Sequence, residues 1–217
     1  MSDEFAAARR AMIVSQVQPN KVTDERILDV LGRMPRERFV PKARQSVAYV
    51  DEDLEIAPGR ILMEPMVFAR LLQEAGVTDD DLVLALGVGT GYPAAVLGAL
   101  AGAVVAIESD AGLAEKATER LSELEVSNAT VVVAPLAEGY AADAPYNVIF
   151  INGSVETLPD ALFDQLADGG RLVTVEGAHA GAAVVYLRHG DQIDRRVLFD
   201  ASVPVLPEFR REPAFTF

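Results

Sequence analysis

Cysteine is absent from all 217 residues, so a disulfide framework, a thiolate metal site and a cysteine nucleophile are excluded. Histidine is nearly absent. His179 and His189 lie late in the chain and share no H-x-x-x-H spacing, so a bound metal is not expected. Cations are scarce as well: 33 Asp and Glu stand against 19 Lys and Arg, a formal charge of −14. The basic footprint of a duplex-binding protein is missing, and nucleic acid is not an expected partner. Long apolar runs are also lacking. The opening MSDEFAAARRAMIVSQV sets acids ahead of arginines and holds no stretch of signal-peptide or membrane-span length. No membrane association is expected, and the expected location is the cytoplasm.

What is present is the mix of a globular protein, 50% hydrophobic and 24% charged, on a length that predicts one domain with an appendage. Residues 1–60 carry ten basic and ten acidic side chains, and residues 61–217 carry nine and 23. Thr23-Asp-Glu-Arg26 reads as a helix start capped by Thr23, with Ile27, Val30 and Leu31 on one face and Met34-Pro35 as the stop. Residues 1–60 therefore read as a helical extension ending in a loop over 51–59, and residues 61–217 as the main domain. There, short apolar runs at 82–86, 103–107, 130–133 and 148–151 alternate with amphipathic stretches at 92–100, 110–124 and 158–166. That alternation predicts an α/β fold with a doubly wound, mostly parallel sheet. The runs at 171–175, 183–187 and 192–199 leave little room for helices and predict antiparallel edge strands.

The most specific segment is Leu82-Val-Leu-Ala-Leu-Gly87-Val88-Gly89-Thr-Gly91-Tyr92, a buried strand running into alternate glycines and then a helix. Bare main chain there suits a bound ligand. Glu108 follows Gly87 by 21 residues, at the end of the next strand, where a carboxylate accepts ribose hydroxyls. A dinucleotide fingerprint would need glycine where Tyr92 stands. G-x-G-x-G with a neighbouring acid suits a nucleoside without phosphates, and S-adenosylmethionine fits that description. The plainer alternative is a tight strand-to-helix turn beside a solvated acid.

Further segments resemble the protein-L-isoaspartate O-methyltransferase family over nearly the whole chain. Met34-Pro-Arg-Glu-Arg-Phe-Val-Pro41 resembles its V-P-R-E-x-F-V-P, and Ala48-Tyr-Val-Asp-Glu-Asp-Leu54 its A-Y-x-D-x-x-L. Gly91-Tyr92 with Ala94-Ala-Val-Leu97 is similar to G-Y-Q-A-A-V-L, Ala144-Pro-Tyr-Asn147 to A-P-F-D, and Pro159 with Gln165-Leu-x-x-Gly-Gly-Arg-Leu172 completes the match. The resemblance implies a fold of the S-adenosylmethionine-dependent methyltransferase type. It also implies methyl transfer to an isoaspartyl or related carboxylate of damaged protein, releasing S-adenosylhomocysteine. Such a carboxylate, with a pKa near ~4, is already ionised at neutral pH, so no general base is required. It implies cofactor contacts at Gly87, Val88, Gly89, Gly91, Glu108, Ser109, Leu136 and Ala137, and substrate contacts at Leu62, Met63 and Glu64, with no catalytic residue assigned.

The chain departs from the family pattern at the site itself. Ile61-Leu-Met-Glu-Pro65 stands where the family has T-I-S-Q-P, so Met63 replaces a hydroxyl; Ala85 replaces an acid ending the first strand; Pro135-Leu-Ala137 replaces G-D-G; and Asn152-Gly-Ser154 stands where T-A-A is frequent. Glu64 and Glu138 are candidate replacements, and Asp51-Glu-Asp53 reads as an acidic turn. The alternative these departures raise is a degenerate member, weak or inactive in catalysis, that binds or regulates. The apolar tail 201–217, with Phe209, Phe215 and Phe217, either closes over the pocket or packs on a neighbour.

Overall fold

The computed structural model describes residues 2–178 and 180–211. His179, Phe215 and Phe217 therefore lie outside the described residues. The chain opens with α1 (Ser2–Met12), passes through a π-helical turn and a 3-10 turn, and enters α2 (Glu25–Arg33). Ile27, Val30 and Leu31 are the buried face of α2, as their spacing requires. The cap is Asp24 rather than Thr23: the Asp24 carboxylate accepts from Arg26 N at 2.9 Å, while Thr23 N donates to Gln73. A carboxylate at this position complements the helix dipole as well as an orphan N–H.

The stretch expected as a loop before the main domain is a hairpin, β1 (Leu54–Ala57) antiparallel to β2 (Arg60–Leu62). It leads into α3 (Pro65–Ala75), a helix the periodicity reading does not name. Proline at its first turn and Gly76 at φ +55° just past its end mark its limits. Five further strands and two helices follow the alternation read from the sequence: β3 (Leu82–Leu86), α4 (Tyr92–Gly98), β4 (Ala103–Glu108), α5 (Ala111–Glu123), β5 (Ala129–Val133), β6 (Tyr146–Val155) and β7 (Leu166–Glu176). Between the last two, α6 (Asp160–Asp164) is shorter than the segment 158–166 suggests, because Leu166 already enters β7. The chain then closes the sheet with β8 (Gly181–His189) and β9 (Gln192–Ala201).

The sheet order is β5-β4-β3-β6-β7-β8-β9, with β8 and β9 antiparallel at one edge. Alternate residues feed two cores. Val83, Ala85, Val104, Ala106, Val148 and Phe150 face the N-terminal helices and α4, whereas Leu84, Leu86, Val105, Ile107, Ile149 and Ile151 face α6 and the tail. Burial of both faces is why these strands carry almost no polar residue. Met12, Val17 and Val22 belong to the same core as the central strands, so residues before the hairpin pack on the sheet. Among the described residues no helix is long and apolar enough to cross a membrane.

The α2 cap gives a test of the fold's local chemistry. Asp24→Ala is expected to lower unfolding free energy by about 1 kcal/mol, and Thr23→Ala to change it by less than about 0.5 kcal/mol. Urea unfolding of the two variants checks the order, and a reversed order would return the cap to Thr23.

Candidate functional site

In a doubly wound sheet the natural cleft opens at the carboxyl ends of the strands where chain order reverses. Here the chain proceeds from β3 outward to β4 and β5 and then returns to β6 on the other side of β3. The reversal lies between β3 and β6, and the glycine loop of residues 87–91 leaves the end of β3 at that point. Gly87 and Gly89 sit at φ +72° and +56°, a region costly for any residue with a Cβ. Asn152, near the end of β6, donates from Nδ2 to the Gly87 carbonyl at 3.1 Å and so ties the two sides of the cleft. Tyr92 packs at the start of α4, its ring 5.3 Å from Phe39 and 5.4 Å from Phe68, with the Arg36 guanidinium over its face at 4.9 Å.

Glu108 ends β4 where the sequence places it, and it is fully buried beside the loop. Its carboxylate accepts from Gly89 N at 2.8 Å, Ser109 N at 2.9 Å and Asp110 N at 3.1 Å. The remaining direction is taken by a cation. Arg60 Nε donates to Oε1 at 2.9 Å and to Oε2 at 3.0 Å, and its Nη2 lies 2.9 Å from Oε1. The same guanidinium reaches Glu208 in the tail, with Nη2 2.5 Å from Oε1, while Ser109 Oγ donates to Glu208 at 2.6 Å. Arg60 is only 4% exposed. Burial works against its charge, but hydrogen bonds to Glu208 and Glu108 outweigh that and raise its pKa. Burial likewise opposes the Glu208 charge, and Arg60 and Ser109 more than compensate, holding its pKa below the usual carboxylate value.

The hollow under the loop is filled by apolar side chains of the same chain. A Cβ placed on Gly87 would stand 3.3 Å from Leu206 Cδ1 and 3.5 Å from Leu136 Cδ1; one on Gly89 would stand 2.6 Å from Ile56 Cδ1; and one on Gly153 would stand 2.6 Å from Leu206 Cγ. Leu206 is thus wedged between the loop and β6. Its segment is strapped down by main chain, since Ser154 N donates to Pro204 O at 3.1 Å and Leu206 N to Ser154 O at 2.9 Å. Leu136 is fully buried here, Ala137 is half-buried and Glu138 is exposed. A neighbouring cavity of about 370 Å³ lies outside the hollow, between Ile56, Thr90 and the cations Arg38, Lys42, Lys116 and Arg120.

The segment 61–65 also lies differently from a substrate-lining loop. Leu62 and Met63 are 2% and 1% exposed, within the hydrophobic core, and only Glu64 of the three substrate candidates is partly open. Apolar side chains gain more from burial in this core than from facing a wet cleft. The Met63 carbonyl is held by Arg36 Nη2 at 2.9 Å, and Glu64 N donates to Asp53 Oδ1 at 2.8 Å. Burial raises Glu64 to about 7, with the charges of Asp53 and Asp51 adding to the shift. Burial also raises Asp53, to about 6, against the pull of the Glu64 N–H and of Arg36. The acidic turn is thus partly an interior feature, coupled to Glu64.

Comparison with known proteins agrees with this architecture. The family model described as protein-L-isoaspartate(D-aspartate) O-methyltransferase matches residues 8–199. The chain belongs to that family. It is similar to the protein-L-isoaspartate O-methyltransferase of Koribacter versatilis (strain Ellin345), 38% identical over 97% of this chain and 96% of that one, and to that of Methanoculleus marisnigri, 36% identical over 81% and 80%. A solved protein-L-isoaspartate O-methyltransferase superposes with a TM-score of 0.78 at 23% identity, covering 91% of this chain, which spans 65% of that chain's length. A putative protein-L-isoaspartate O-methyltransferase of Plasmodium falciparum, solved with S-adenosyl-L-homocysteine, superposes with the same score at 15% identity, covering 92% and 98%. At such identities the two structures speak for the fold alone.

The sequence reading assigns the glycine loop, Glu108, Ser109, Leu136 and Ala137 to one site; the structure sets Glu108 against Gly89 N and Ser109 N, and Leu136 against Gly87. It passes over Arg60, Ile56, Leu206 and Glu208, which occupy that cleft. Only Arg60 leaves a local trace, a lone cation ahead of the apolar run Ile61-Leu62-Met63. With Arg60 on Glu108 and Leu206 on Gly87, an adenosyl group does not fit the residues as they stand.

Two stability tests follow from these contacts. Arg60→Ala leaves a buried carboxylate without its counter-ion and is expected to cost about 3–5 kcal/mol of unfolding free energy. A loss under about 1 kcal/mol in urea unfolding would show that the guanidinium does not hold the cleft together. Glu64 binds its proton more tightly folded than unfolded, so the folded state loses relative stability as pH rises from about 4.5 to about 7. Glu64→Gln is therefore expected to raise the thermal midpoint relative to the parent at pH 8 and to lose that advantage at pH 4, as melting curves at the two pH values would show.

Proposed function

We propose that the chain is an S-adenosylmethionine-dependent carboxyl O-methyltransferase that esterifies isoaspartyl, or related, side-chain carboxylates in damaged protein and releases S-adenosylhomocysteine. The observation that carries this reading is the family match across residues 8–199, backed by curated relatives at up to 38% identity over nearly full length. The reaction suits the residues present. An isoaspartyl carboxylate is ionised at neutral pH, so a chain without cysteine and with two histidines lacks nothing that attack on a sulfonium methyl demands. What remains for the protein is alignment in a dry site.

In this reading Gly87, Val88, Gly89 and Gly91 would carry the amino-acid part of the donor. Glu108 and Ser109 would meet its sugar, Leu136 and Ala137 would flank its base, and Leu62, Met63 and Glu64 would border the acceptor. The meeting of the glycine loop, Glu108, Ser109 and Leu136 where strand order reverses supports the donor assignment and requires the cleft to open first, whereas the acceptor assignment requires Leu62 and Met63 to leave the core. In this reading the damaged proteins of its own cytoplasm would supply the substrate. A second reading, a family member weak in catalysis that binds rather than turns over, is favoured by the same closed cleft. The apolar Ala85 and Leu136, where the family pattern has polar contacts, point the same way.

An isoaspartyl peptide incubated with methyl-labelled S-adenosylmethionine separates the two. The expected outcome is ester label above a heat-killed sample of the same protein, with an aspartyl peptide of equal sequence unlabelled. Label no higher than the heat-killed control would leave the binding reading standing instead.

A further inference from the structure

We infer that Arg60 and the tail segment 203–209 form a latch over the donor cleft, and that this latch, rather than the glycine loop, sets how strongly the chain takes up an adenosyl ligand. The inference rests on the family reading and concerns control of the same site. Its basis is competition for one carboxylate and one hollow. Glu108 has two oxygens, and the structure commits them to three main-chain N–H groups and to the Arg60 guanidinium. A sugar hydroxyl can reach Glu108 only by displacing Arg60, because the other three donors belong to the loop and to the turn after β4. Leu206 fills the space against Gly87 and Gly153 that a ligand on the loop would need.

The two obstructions are one device. Glu208 holds Arg60 from the far side, and Glu208 stands two residues beyond Leu206 on the strap that pairs with Ser154. Lifting the strap removes Leu206 from the hollow and Glu208 from Arg60 together. Arg60 then retains one carboxylate partner in place of two, and its stem lies in a three-residue strand of a hairpin rather than in the sheet. Phe209 makes the far hinge, its carbonyl accepting from Glu156 N at 3.0 Å and its side chain buried in the core under α6. The near hinge is Val203, buried two residues past the end of β9. Between these anchors Pro204 and Pro207 are exposed and Glu208 is partly exposed, and lifting this portion breaks the Ser154–Pro204 hydrogen bond and the Glu208 contacts to Arg60 and Ser109.

A closed state of this kind weakens apparent affinity by the fraction of molecules that are open. Glu208→Ala removes the outer carboxylate without touching the glycine loop or Glu108, and Leu206→Ala empties the wedge. Calorimetric titration of the full-length chain with S-adenosylhomocysteine is expected to show binding at least ten-fold tighter in Glu208→Ala than in the parent. Adding the ligand to the parent is expected to increase hydrogen exchange at Leu206 N and Ser154 N. Equal affinity in the parent, Glu208→Ala and Leu206→Ala, each checked for folding by circular dichroism, would overturn the latch. So would absence of binding in all three, or a bound structure with Arg60 still on Glu108. Tighter binding in Glu208→Ala without any isoaspartyl methylation would uphold the latch while removing the methyltransferase reading.

Discussion

The contact on which the cleft depends is the Arg60 guanidinium on the Glu108 carboxylate. Neither group has access to water, and each would carry a desolvation cost of several kcal/mol if left alone. Main-chain donors from Gly89, Ser109 and Asp110 share the negative charge of Glu108, and Glu208 gives the guanidinium a second carboxylate on the other side. Three parts of the chain far apart in sequence meet there: the hairpin at residue 60, the central sheet at 108 and the tail at 208. Removing Arg60 leaves the buried Glu108 carboxylate without a counter-ion, and removing Glu108 leaves Arg60 with Glu208 alone. The arrangement therefore contributes to the pairing of hairpin, sheet and tail more than to net stability, since an apolar filling of the same volume would do as well or better energetically.

The fold was legible because burial on both faces forces a parallel strand to be apolar throughout. Residues 82–86, 103–107 and 148–151 meet that condition, and the glycine loop and Glu108 follow from their ends. What was not legible is local or contingent. The hairpin of β1 and β2 is too short for alternation to register, and Asp51-Glu-Asp53 beside Ala57-Pro-Gly59 reads as turn chemistry. Asp24 and Thr23 are both good caps, and which one serves depends on Gln73, fifty residues away in sequence from Thr23. α3 begins at a proline that a linear reading takes as a break, although proline is well suited to a first helical turn.

The site was half legible for a different reason. A loop and an acid at a set spacing can be recognised along the chain, but the group that faces the acid cannot. Arg60 lies 48 residues before Glu108, and Glu208 lies 148 residues after Arg60. Neither separation carries a periodic signal. Met63 illustrates the same limit. Its place in a family segment suggests a cleft residue, yet its thioether, unlike a hydroxyl, has nothing to lose by burial in the core.

These substitutions form a consistent set. Ala85, Leu136 and Met63 each stand where the family pattern is polar; Ala85 and Met63 belong to the core on one face of the sheet, and Leu136 lies with Leu206 in the apolar hollow against Gly87. A dry, apolar hollow is filled most readily by an apolar side chain, and Leu206 is the one whose strap reaches it. Once Leu206 is seated, Glu208 falls beside Arg60, and the guanidinium becomes the only group able to compensate Glu108 from the side that a ligand would approach. The loss of polar groups around the loop and the presence of a charged latch are therefore linked consequences of one change in the chemistry of the cleft. Restoring a polar side chain at residue 136, which lies with Leu206 against Gly87, would weaken the hold of Leu206 before it strengthened the hold on any ligand.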